Sequence, residues 1–354
     1  MQSEPAALRC SRCSHRYGPG PDEPFRCDCG APLELDEGSA PPPDCTRPVS
    51  GIWAFADALP SGPVIDLGAG GTPLVDAPAF DARFKLESCN PTGSFKDRGA
   101  AVTLSRAVAI GADRIKEDSS GNAGLAIAAH AARAGVDASI FVPISAAGST
   151  IAAIRATGAD VVSIEGSRDE VATACVEAEA GWYASHAWRP SFYAGTATLA
   201  WELVADHGGF PPDAVILPVG HGTLLLGLYR GFTRLVEAGA IEAVPRLFAA
   251  QLAGAGSLLP ETADIDDDLA PGIRIPTPAR LEQVSSAIEQ SGGQIVPVEP
   301  AAVSETRDRL ARYGFDVCTT SAVGVAAREN LEHQQTLARG PEVTVVLTGR
   351  SRDR

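Results

Sequence analysis

Three glycine-marked loops carry the residues whose types and spacing best suit chemistry. The first, residues 90–99 (NPTGSFKDRG), holds Lys96, in a chain where arginine supplies 26 of the 29 basic residues. Gly93 and Gly99 favour a tight turn, and Phe95 is an apolar neighbour. A lysine desolvated in such a loop loses its proton more readily and becomes a nucleophile able to form a Schiff base. The loop by itself fits a solvated surface lysine equally well.

The second loop, residues 119–124 (SSGNAG), leads into an alanine-rich helical pattern. Its small residues leave backbone N–H groups exposed where the helix begins, which suits a carboxylate. Asn122 can also donate a hydrogen bond to a phenolic oxygen. An ordinary helix cap with close packing explains the same residues. The candidate binding residues in this loop are Ser119, Ser120, Gly121 and Asn122.

The third loop, PVGHGTLLLG, follows the apolar run DAVIL. Its amides can cradle a phosphate where the next helix begins. A dinucleotide site is the alternative, but the loop lacks the remaining fingerprint glycine. We interpret His221 as lining the loop rather than as a catalytic base. The candidate phosphate-binding residues are Gly220, His221, Gly222 and Thr223.

Two close cysteine pairs lie in the segment CSRCSHRYGPGPDEPFRCDCG near the N-terminus. This segment has too few apolar residues to fold alone, and a tetrahedral zinc site would supply the missing free energy. One residue rather than two separates the second pair, so a metal-free relic and redox thiols stay open. His15 or Cys45 could replace one ligand. The predicted ligands are Cys10, Cys13, Cys27 and Cys29.

Beyond the cysteines, helix-like and strand-like segments alternate, which predicts an α/β fold with parallel sheets covered on both faces and a division into two lobes. Residues 36–48 are predicted to be a linker, and 253–280 an irregular surface segment. Helical spacing is found at 99–110, 123–134, 148–157, 168–180, 196–206, 223–238 and 321–336. Strand-like runs are found at 138–142, 160–164, 214–219 and 342–347.

Bulk composition limits the possible partners. The chain has 354 residues, 45% of them hydrophobic, which is enough for a large core. Its net charge of −15 argues against nucleic acid as a partner. The N-terminus lacks the features of a signal peptide and no uncharged apolar run is long enough to span a membrane, so we expect a cytoplasmic protein. The acidity suits a high-salt cytoplasm, and a GC-rich genome explains the scarcity of lysine as well.

Taken in order, the motifs resemble one family. They are GGTPL at 70–74, KLESCNPTGSFKDRG at 85–99, SSGNAG at 119–124, PVGHGTLLLG at 218–227 and TG at 348–349. The chain resembles the threonine synthase branch of the fold-type II enzymes that depend on pyridoxal 5'-phosphate, related to tryptophan synthase β, cysteine synthase and threonine dehydratase. The resemblance covers about residues 50–350, and many threonine-synthase-like proteins also carry an N-terminal cysteine ribbon.

This resemblance implies a role for each loop. Lys96 would form the Schiff base with pyridoxal phosphate and then carry protons. Asn122 would bind the ring hydroxyl, residues 220–223 the phosphate, and Thr348 the pyridine nitrogen. The loop at 119–122 would hold the substrate carboxylate. The resemblance also implies a homodimer.

The implied domain organisation has four parts. They are a zinc-ribbon-like segment at 1–35, a linker at 36–48, a large cofactor-binding domain at 49–100 and 186–354, and a small α/β domain at 101–185.

Departures from the family pattern bear on the substrate. Threonine synthases usually place a lysine near position 150 and an arginine near position 192 to hold a phosphate, whereas this chain has Thr150 and Phe192. Arg155 or Arg189 would have to substitute. Two further departures are the polar run RIKED before SSGNAG, and CTTSA at 318–322, where many relatives have a glutamate and a proline.

The sequence therefore predicts threonine synthase activity, the conversion of O-phosphohomoserine to threonine, on a small amino-acid substrate. Other β-elimination or β-replacement enzymes acting on serine, threonine, phosphoserine or acetylserine are the main alternative. A non-catalytic paralogue that keeps the fold and a nucleotide-dependent oxidoreductase are the others.

Overall fold

The computed structural model describes residues 5–36, 45, 50–60, 62–146, 148–254, 258–259, 269–337, 340 and 342–351. The predicted linker at 36–48 lies outside these residues except for Asp36 and Cys45. The predicted irregular segment at 253–280 is described only in part. Its described residues contain one short 3-10 turn, Pro271–Ile273, and no longer element.

Strands and helices alternate along most of the chain. The strands are β1 (Leu8–Cys10), β2 (Arg16–Tyr17), β3 (Leu33–Leu35), β4 (Leu74–Ala77), β5 (Ala82–Leu86), β6 (Arg114–Glu117), β7 (Asp137–Pro143), β8 (Asp160–Ile164), β9 (Trp182–Tyr183), β10 (Ala214–Pro218), β11 (Arg246–Leu252), β12 (Ile295–Val298) and β13 (Val343–Leu347). The helices are α1 (Lys96–Ala109), α2 (Asn122–Ala134), α3 (Gly148–Ala156), α4 (Arg168–Glu177), α5 (Pro190–Asp206), α6 (Thr223–Glu237), α7 (Leu281–Gln290), α8 (Pro300–Arg312) and α9 (Thr319–His333). Among the described residues, no helix is long and apolar enough to cross a lipid bilayer.

The chain forms two compact units. The first takes the described residues of Met1–Pro43, Gly51–Ala69 and Lys96–Thr196, and the second those of Asp44–Ser50, Gly70–Phe95 and Ala197–Arg354. After an earlier passage at Ala69, the chain passes between the units after Phe95 and finally within α5. The last two points lie near the predicted domain boundaries at 100/101 and 185/186, and the domain division drawn from the sequence stays a prediction.

The first unit contains two sheets. The order β8-β7-β6-β9 makes a four-stranded parallel sheet, and β2-β1-β3 makes a small antiparallel sheet near the N-terminus. α1 and α2 pack their small and aliphatic residues on the parallel sheet, with Leu104, Ile115, Ile127 and Ile140 fully buried. α2 ends at Gly135, whose left-handed φ of 69° glycine adopts without strain. The loop between β6 and α2 is therefore held by two elements that pack together in this core.

The second unit is built on a six-stranded sheet of order β12-β11-β10-β13-β5-β4. All neighbouring strands run parallel except β4, which pairs antiparallel with β5 at the edge. The central strands β10 and β13 are buried along their whole length, as expected for strands covered on both faces. The predicted α/β fold class with parallel sheets is confirmed.

Some elements escaped the sequence analysis. α7 and α8 were not predicted, although Val284 and Ile288 of α7 are buried at helical spacing, and β6 (RIKE) reads as polar although three of its four residues are buried. β11 carries Arg246 and Gln251 in an otherwise apolar run. Periodicity fails for β6 and β11 because buried polar side chains find partners that only the folded chain supplies.

Candidate active site

Lys96 is the first residue of α1, directly after the predicted turn. Its Nζ lies 5.7 Å from the centre of the Phe192 ring, within the first unit. Burial lowers the pKa of the Lys96 amine to about 8, although the charge of Glu117 acts in the opposite direction. The amine is therefore neutral more often than an ordinary lysine, as a Schiff-base nucleophile requires.

The Phe192 ring is held by close contact with α1. A Cβ built on Gly99 would lie 2.4 Å from two ring atoms of Phe192, so only glycine leaves room for the ring there. Phe192 is fully buried. This position, where threonine synthases usually carry an arginine, is therefore part of the wall beside Lys96.

Glu117, the last residue of β6, is fully buried. Its Oε1 lies 2.5 Å from Nδ1 of His186, at hydrogen-bonding distance. Burial raises the pKa of the Glu117 carboxyl to about 8, against the hydrogen bond with His186 and the charge of Lys96. Burial also lowers the pKa of His186 to about 3. Both groups are thus driven toward their neutral forms.

Asp118 follows Glu117 directly after β6 and is the second acidic residue there. It accepts a 2.7 Å hydrogen bond from the Tyr183 hydroxyl at Oδ1. Burial, with a smaller contribution from the charge of Glu117, raises the pKa of Asp118 to about 6. The polar run that departs from the family pattern therefore places two carboxyl groups of raised pKa directly before the loop at 119–122.

This loop connects β6 to α2, which begins at Asn122. Gly121 has an extended backbone, and its N–H donates to Oγ of Ser119 at 3.3 Å. A Cβ on Gly124 would lie 1.9 Å from the carbonyl oxygen of Ser119, so glycine is required for the loop to turn tightly onto α2. The loop lies at the carboxyl end of a parallel strand and the start of a helix, where α/β proteins bind anions.

The glycine turn at 220–222 lies at the equivalent place in the second unit, between β10 and α6. Gly222 has a left-handed φ of 75°, and a Cβ there would lie 2.2 Å from Val284. A Cβ on Gly220 would lie 2.7 Å from the carbonyl oxygen of Gly272. The two glycines are therefore required by close packing, and they bring backbone amides to the first turn of α6 beside buried Thr223.

Thr348 follows β13 in the same unit. Its hydroxyl lies 3.2 Å from Oγ of Ser321, which also accepts from the Gly349 N–H at 3.1 Å. The carbonyl of Thr348 accepts from the Phe95 N–H at 3.0 Å. Ser321 belongs to the CTTSA run, so this departure from the family pattern orients the threonine hydroxyl.

The predicted site residues thus form two groups, each assembled within its own unit. Lys96 and the loop at 119–122 lie in the first unit, and residues 220–223 with Thr348 lie in the second. Their roles toward a cofactor stay predictions. Sequence reasoning missed Glu117 and His186 as site residues, and the signal that could have found them was the polar run RIKED where a buried strand was expected.

The four predicted cysteine ligands converge in the N-terminal ribbon. Their sulfur atoms all lie within 4.8 Å of one another, and the Cys10–Cys29 and Cys13–Cys27 pairs are each 3.5 Å apart. Tetrahedral zinc with Zn–S bonds of about 2.3 Å needs sulfur atoms about 3.8 Å apart. The donor set therefore fits a structural zinc ion, whose presence stays a prediction.

Arg189, one of the two arginines considered for holding a substrate phosphate, is committed elsewhere. Its guanidinium is buried, donates to Glu23 Oε1 at 3.2 Å and to the Tyr183 carbonyl at 2.6 Å, and stacks 3.9 Å above the Trp182 ring. Arg155, the other candidate, is exposed on α3. Thr150 and Phe192 are buried. The described side chains at positions 150, 189 and 192 therefore form no phosphate clamp.

Comparisons with known proteins agree with this architecture. Residues 65–349 match the family model described as pyridoxal-phosphate dependent enzyme. The chain is 31% identical to threonine synthase of Mycobacterium bovis over 332 residues, covering 88% of this chain and 91% of the relative. It is 32% identical to threonine synthase of Synechocystis over 300 residues, covering 81% and 78%. The solved structure of a threonine deaminase from T.th. superimposes with a TM-score of 0.65 at 28% identity, covering 80% and 93%.

The chain therefore belongs to the family of pyridoxal-phosphate dependent enzymes. The predicted threonine-synthase-like, fold-type II lyase class is confirmed at this level. The residues present fit the cofactor. The first unit holds a lysine of lowered pKa that suits a Schiff base, and the second holds a glycine turn at the start of a helix that suits a phosphate, with a threonine hydroxyl held by Ser321.

Proposed function

We propose that this protein is a pyridoxal-phosphate-dependent lyase that removes the β-hydroxyl group of a small amino acid such as serine or threonine. Arg189 carries this proposal, because its buried guanidinium is bound to Glu23 instead of being available to a substrate phosphate. Phe192 stands where a phosphate-binding arginine is expected, and two carboxyl groups precede the substrate loop. Such surroundings favour a neutral leaving group over a phosphate dianion.

The predicted cofactor roles form part of the proposal. Lys96 is the Schiff-base residue, Asn122 binds the ring hydroxyl, and Thr348 faces the pyridine nitrogen. The glycine turn with His221 and Thr223 binds the phosphate. When bound, the cofactor supplies an electron sink for the bonds at the substrate Cα. The loop at 119–122 holds the substrate carboxylate at the start of α2, and Lys96 moves the proton at Cα.

Threonine synthase is the second candidate, and the similarity to threonine synthases at 31% and 32% identity favours it. One charge also favours it: burial is the main cause of the lowered pKa of His186, and the guanidinium of Arg168, an exposed residue at the start of α4, lowers that pKa further. A cation there can attract an anionic substrate group. This candidate therefore requires Arg168 to bind the substrate phosphate that Arg189 does not bind.

A substrate comparison separates these functions. Purified protein loaded with cofactor should form a 2-oxo acid and ammonia from L-serine or L-threonine with a higher kcat/KM than it forms phosphate and threonine from O-phosphohomoserine. The Lys96→Ala variant should lose the visible absorbance of the bound cofactor and about 10²- to 10⁴-fold in rate.

The opposite substrate order, with Arg168→Gln raising KM for O-phosphohomoserine about tenfold or more, would establish threonine synthase instead. Cofactor binding without turnover of any amino acid would favour a non-catalytic paralogue. The predicted homodimer and cytoplasmic location stay predictions, and sedimentation of the holoenzyme tests the first.

A further inference from the structure

The carboxyl group of Glu117 has an unusual setting for a structural residue. The side chain has no exposed surface, and its Oε1 is 2.5 Å from His186 Nδ1. Its Oε2 is also buried and makes no hydrogen bond with any residue that the structure describes. A buried polar atom without a partner destabilises the fold, so we take it to indicate a group that meets a ligand.

The Phe192 ring lies between the Glu117–His186 pair and Lys96. It lies 6.0 Å from the His186 ring, centre to centre, in an edge-on contact, and 5.7 Å from Lys96 Nζ. Glu117 and Lys96 are close enough for each charge to affect the pKa of the other group. Only Asp118 separates Glu117 from the loop at 119–122. All of these residues belong to the first unit.

We propose that Glu117 is a second proton-transfer group of this site, which gives its proton to the oxygen leaving Cβ of the substrate, while His186 holds the carboxyl in place. The proposal rests on the proposed function, because only an unactivated hydroxyl group needs such a proton. Hydroxide is a poor leaving group, whereas water leaves readily.

The step balances with the groups at hand. Lys96 takes the proton from Cα, and the electron pair of the Cα–H bond becomes the second bond between Cα and Cβ. The Cβ–O bond breaks with its electron pair on oxygen, and the Glu117 proton converts that oxygen into the oxygen of water. Glu117 is left as a carboxylate, and it regains a proton as Lys96 returns its own through the released water.

The electrostatic surroundings keep this acid protonated. Burial raises the pKa of Glu117 to about 8 and lowers that of His186 to about 3, so near neutral pH the carboxyl carries the proton and the imidazole is neutral. The charged groups acting on the pair are Lys96 from α1, Asp118 directly after β6 and Arg168 from α4. The Tyr183 hydroxyl is bound to Asp118.

Two substrates that differ only in the leaving group test the proposal. L-Serine needs a proton on its leaving oxygen, and β-chloro-L-alanine does not. Glu117→Gln keeps the shape of the side chain but cannot supply that proton, so kcat on serine should fall by about 10²-fold or more and kcat on β-chloroalanine by less than about threefold. His186→Ala should lower the serine rate selectively as well. Asp118→Asn, the matched control, should keep the wild-type ratio of the two rates.

Equal losses on both substrates would overturn the proposal while leaving the proposed function intact. Failure of wild type to act on serine or threonine would instead refute the proposed function, and the proposal with it. The two failures are therefore distinguishable.

A measurement on the wild-type protein needs no turnover, and it uses a variant only to assign the signal. In the full chain labelled with ¹³C-glutamate, one carboxyl resonance, assigned by its disappearance in Glu117→Gln, should titrate with a pKa of about 8. A Glu117 resonance that titrates like the exposed glutamates would overturn the proposal, because the residue would then hold no proton at neutral pH.

Discussion

Burial acts in opposite directions on the two ionisable side chains nearest the proposed chemistry. It lowers the pKa of Lys96 to about 8 and raises that of Glu117 to about 8, because in each case it disfavours the charged form. A lysine that is readily deprotonated is a base, and a glutamate that stays protonated is an acid. One physical cause thus gives the two residues complementary roles.

The raised pKa of Glu117 makes stability depend on pH. A carboxyl whose folded pKa lies above its unfolded value contributes stability that is full below about pH 4.5 and is lost as pH rises through about 8. Glu117→Gln lacks this group. We therefore expect the free energy of unfolding of wild type, relative to this variant, to decrease as pH rises from about 5 to about 9, as measured by urea denaturation of the cofactor-free proteins.

Glu170→Gln is the matched control for this measurement. In wild type, the Glu170 carboxylate accepts a hydrogen bond from the Ser167 N–H in the capping box of α4. Hydrogen bonds with Ser167 lower the pKa of Glu170. The variant should lose stability without any change of slope between about pH 5 and about pH 9, because Glu170 is ionised throughout that range. A flat difference between wild type and Glu117→Gln would contradict the raised pKa.

Sequence reasoning found the residues that short motifs carry and missed those that act through tertiary contacts. Lys96 and Gly222 are recognisable because a lone lysine or a glycine at a turn has a local reason to be there. Glu117 and His186 are 69 positions apart in the chain, and Glu23 lies 166 positions from Arg189. No local pattern predicts such pairs, so only an unexpected polar strand indicated one of them.

At the scale of elements, the N-terminal ribbon is attached to the first unit by a buried charge cluster. Glu23 receives hydrogen bonds from Arg106 on α1, at 2.9 Å and 2.5 Å, and from Arg189 before α5 at 3.2 Å. Phe25 makes edge-on contacts with Tyr183 and Trp188. Both arginines are buried, so the ribbon supplies the charge that compensates them.

The ribbon's own core is small, and we expect it to depend on zinc. Its buried apolar residues are Leu8, Cys10, Cys27, Ala31 and Leu33. Wild type should contain about one zinc ion per chain, and Cys10→Ser should contain much less and be cleaved by protease within 5–36 much faster. Elemental analysis and limited proteolysis measure both effects.

Cys89→Ser is the control for the ribbon experiment, since Cys89 is an exposed thiol outside the cluster. It should retain zinc and resist protease like wild type. A metal-free wild-type protein whose ribbon is as resistant as the metal-loaded form would contradict the zinc assignment, and would leave the relic or redox interpretation of the four cysteines.

Long apolar elements were predictable, and strands with buried charges were not. α2 and β10 are nearly all apolar and match their predicted ranges closely. β5 contains fully buried Lys85, whose Nζ is bound to Glu202 and Asp206 at 2.5 Å and 2.6 Å. A lysine inside a strand argues against a buried strand until its partners, more than a hundred residues away, are known.

At the scale of the whole molecule, charge is the dominant property. With a net charge of −15, the acidic groups repel one another in the compact state. Only three of the 29 basic residues are lysines. Some arginines, such as Arg106 and Arg189, are buried and paired within the fold, so they do not offset the acidic groups at the surface. The folded state should therefore be sensitive to screening.

We expect the Tm at neutral pH to rise as KCl increases from about 0.1 M to about 1 M, because the Debye length falls from about 10 Å to about 3 Å and the repulsion between acidic groups weakens. Differential scanning calorimetry of the holoenzyme at fixed cofactor concentration measures the change. The same salt series near pH 4.8, the pI of the chain, is the control, since net repulsion is absent there and the rise in Tm should largely disappear. An equal rise at both pH values would assign the effect to strengthened burial of apolar surface, and no rise at neutral pH would show that the acidic groups are too far apart to repel one another measurably.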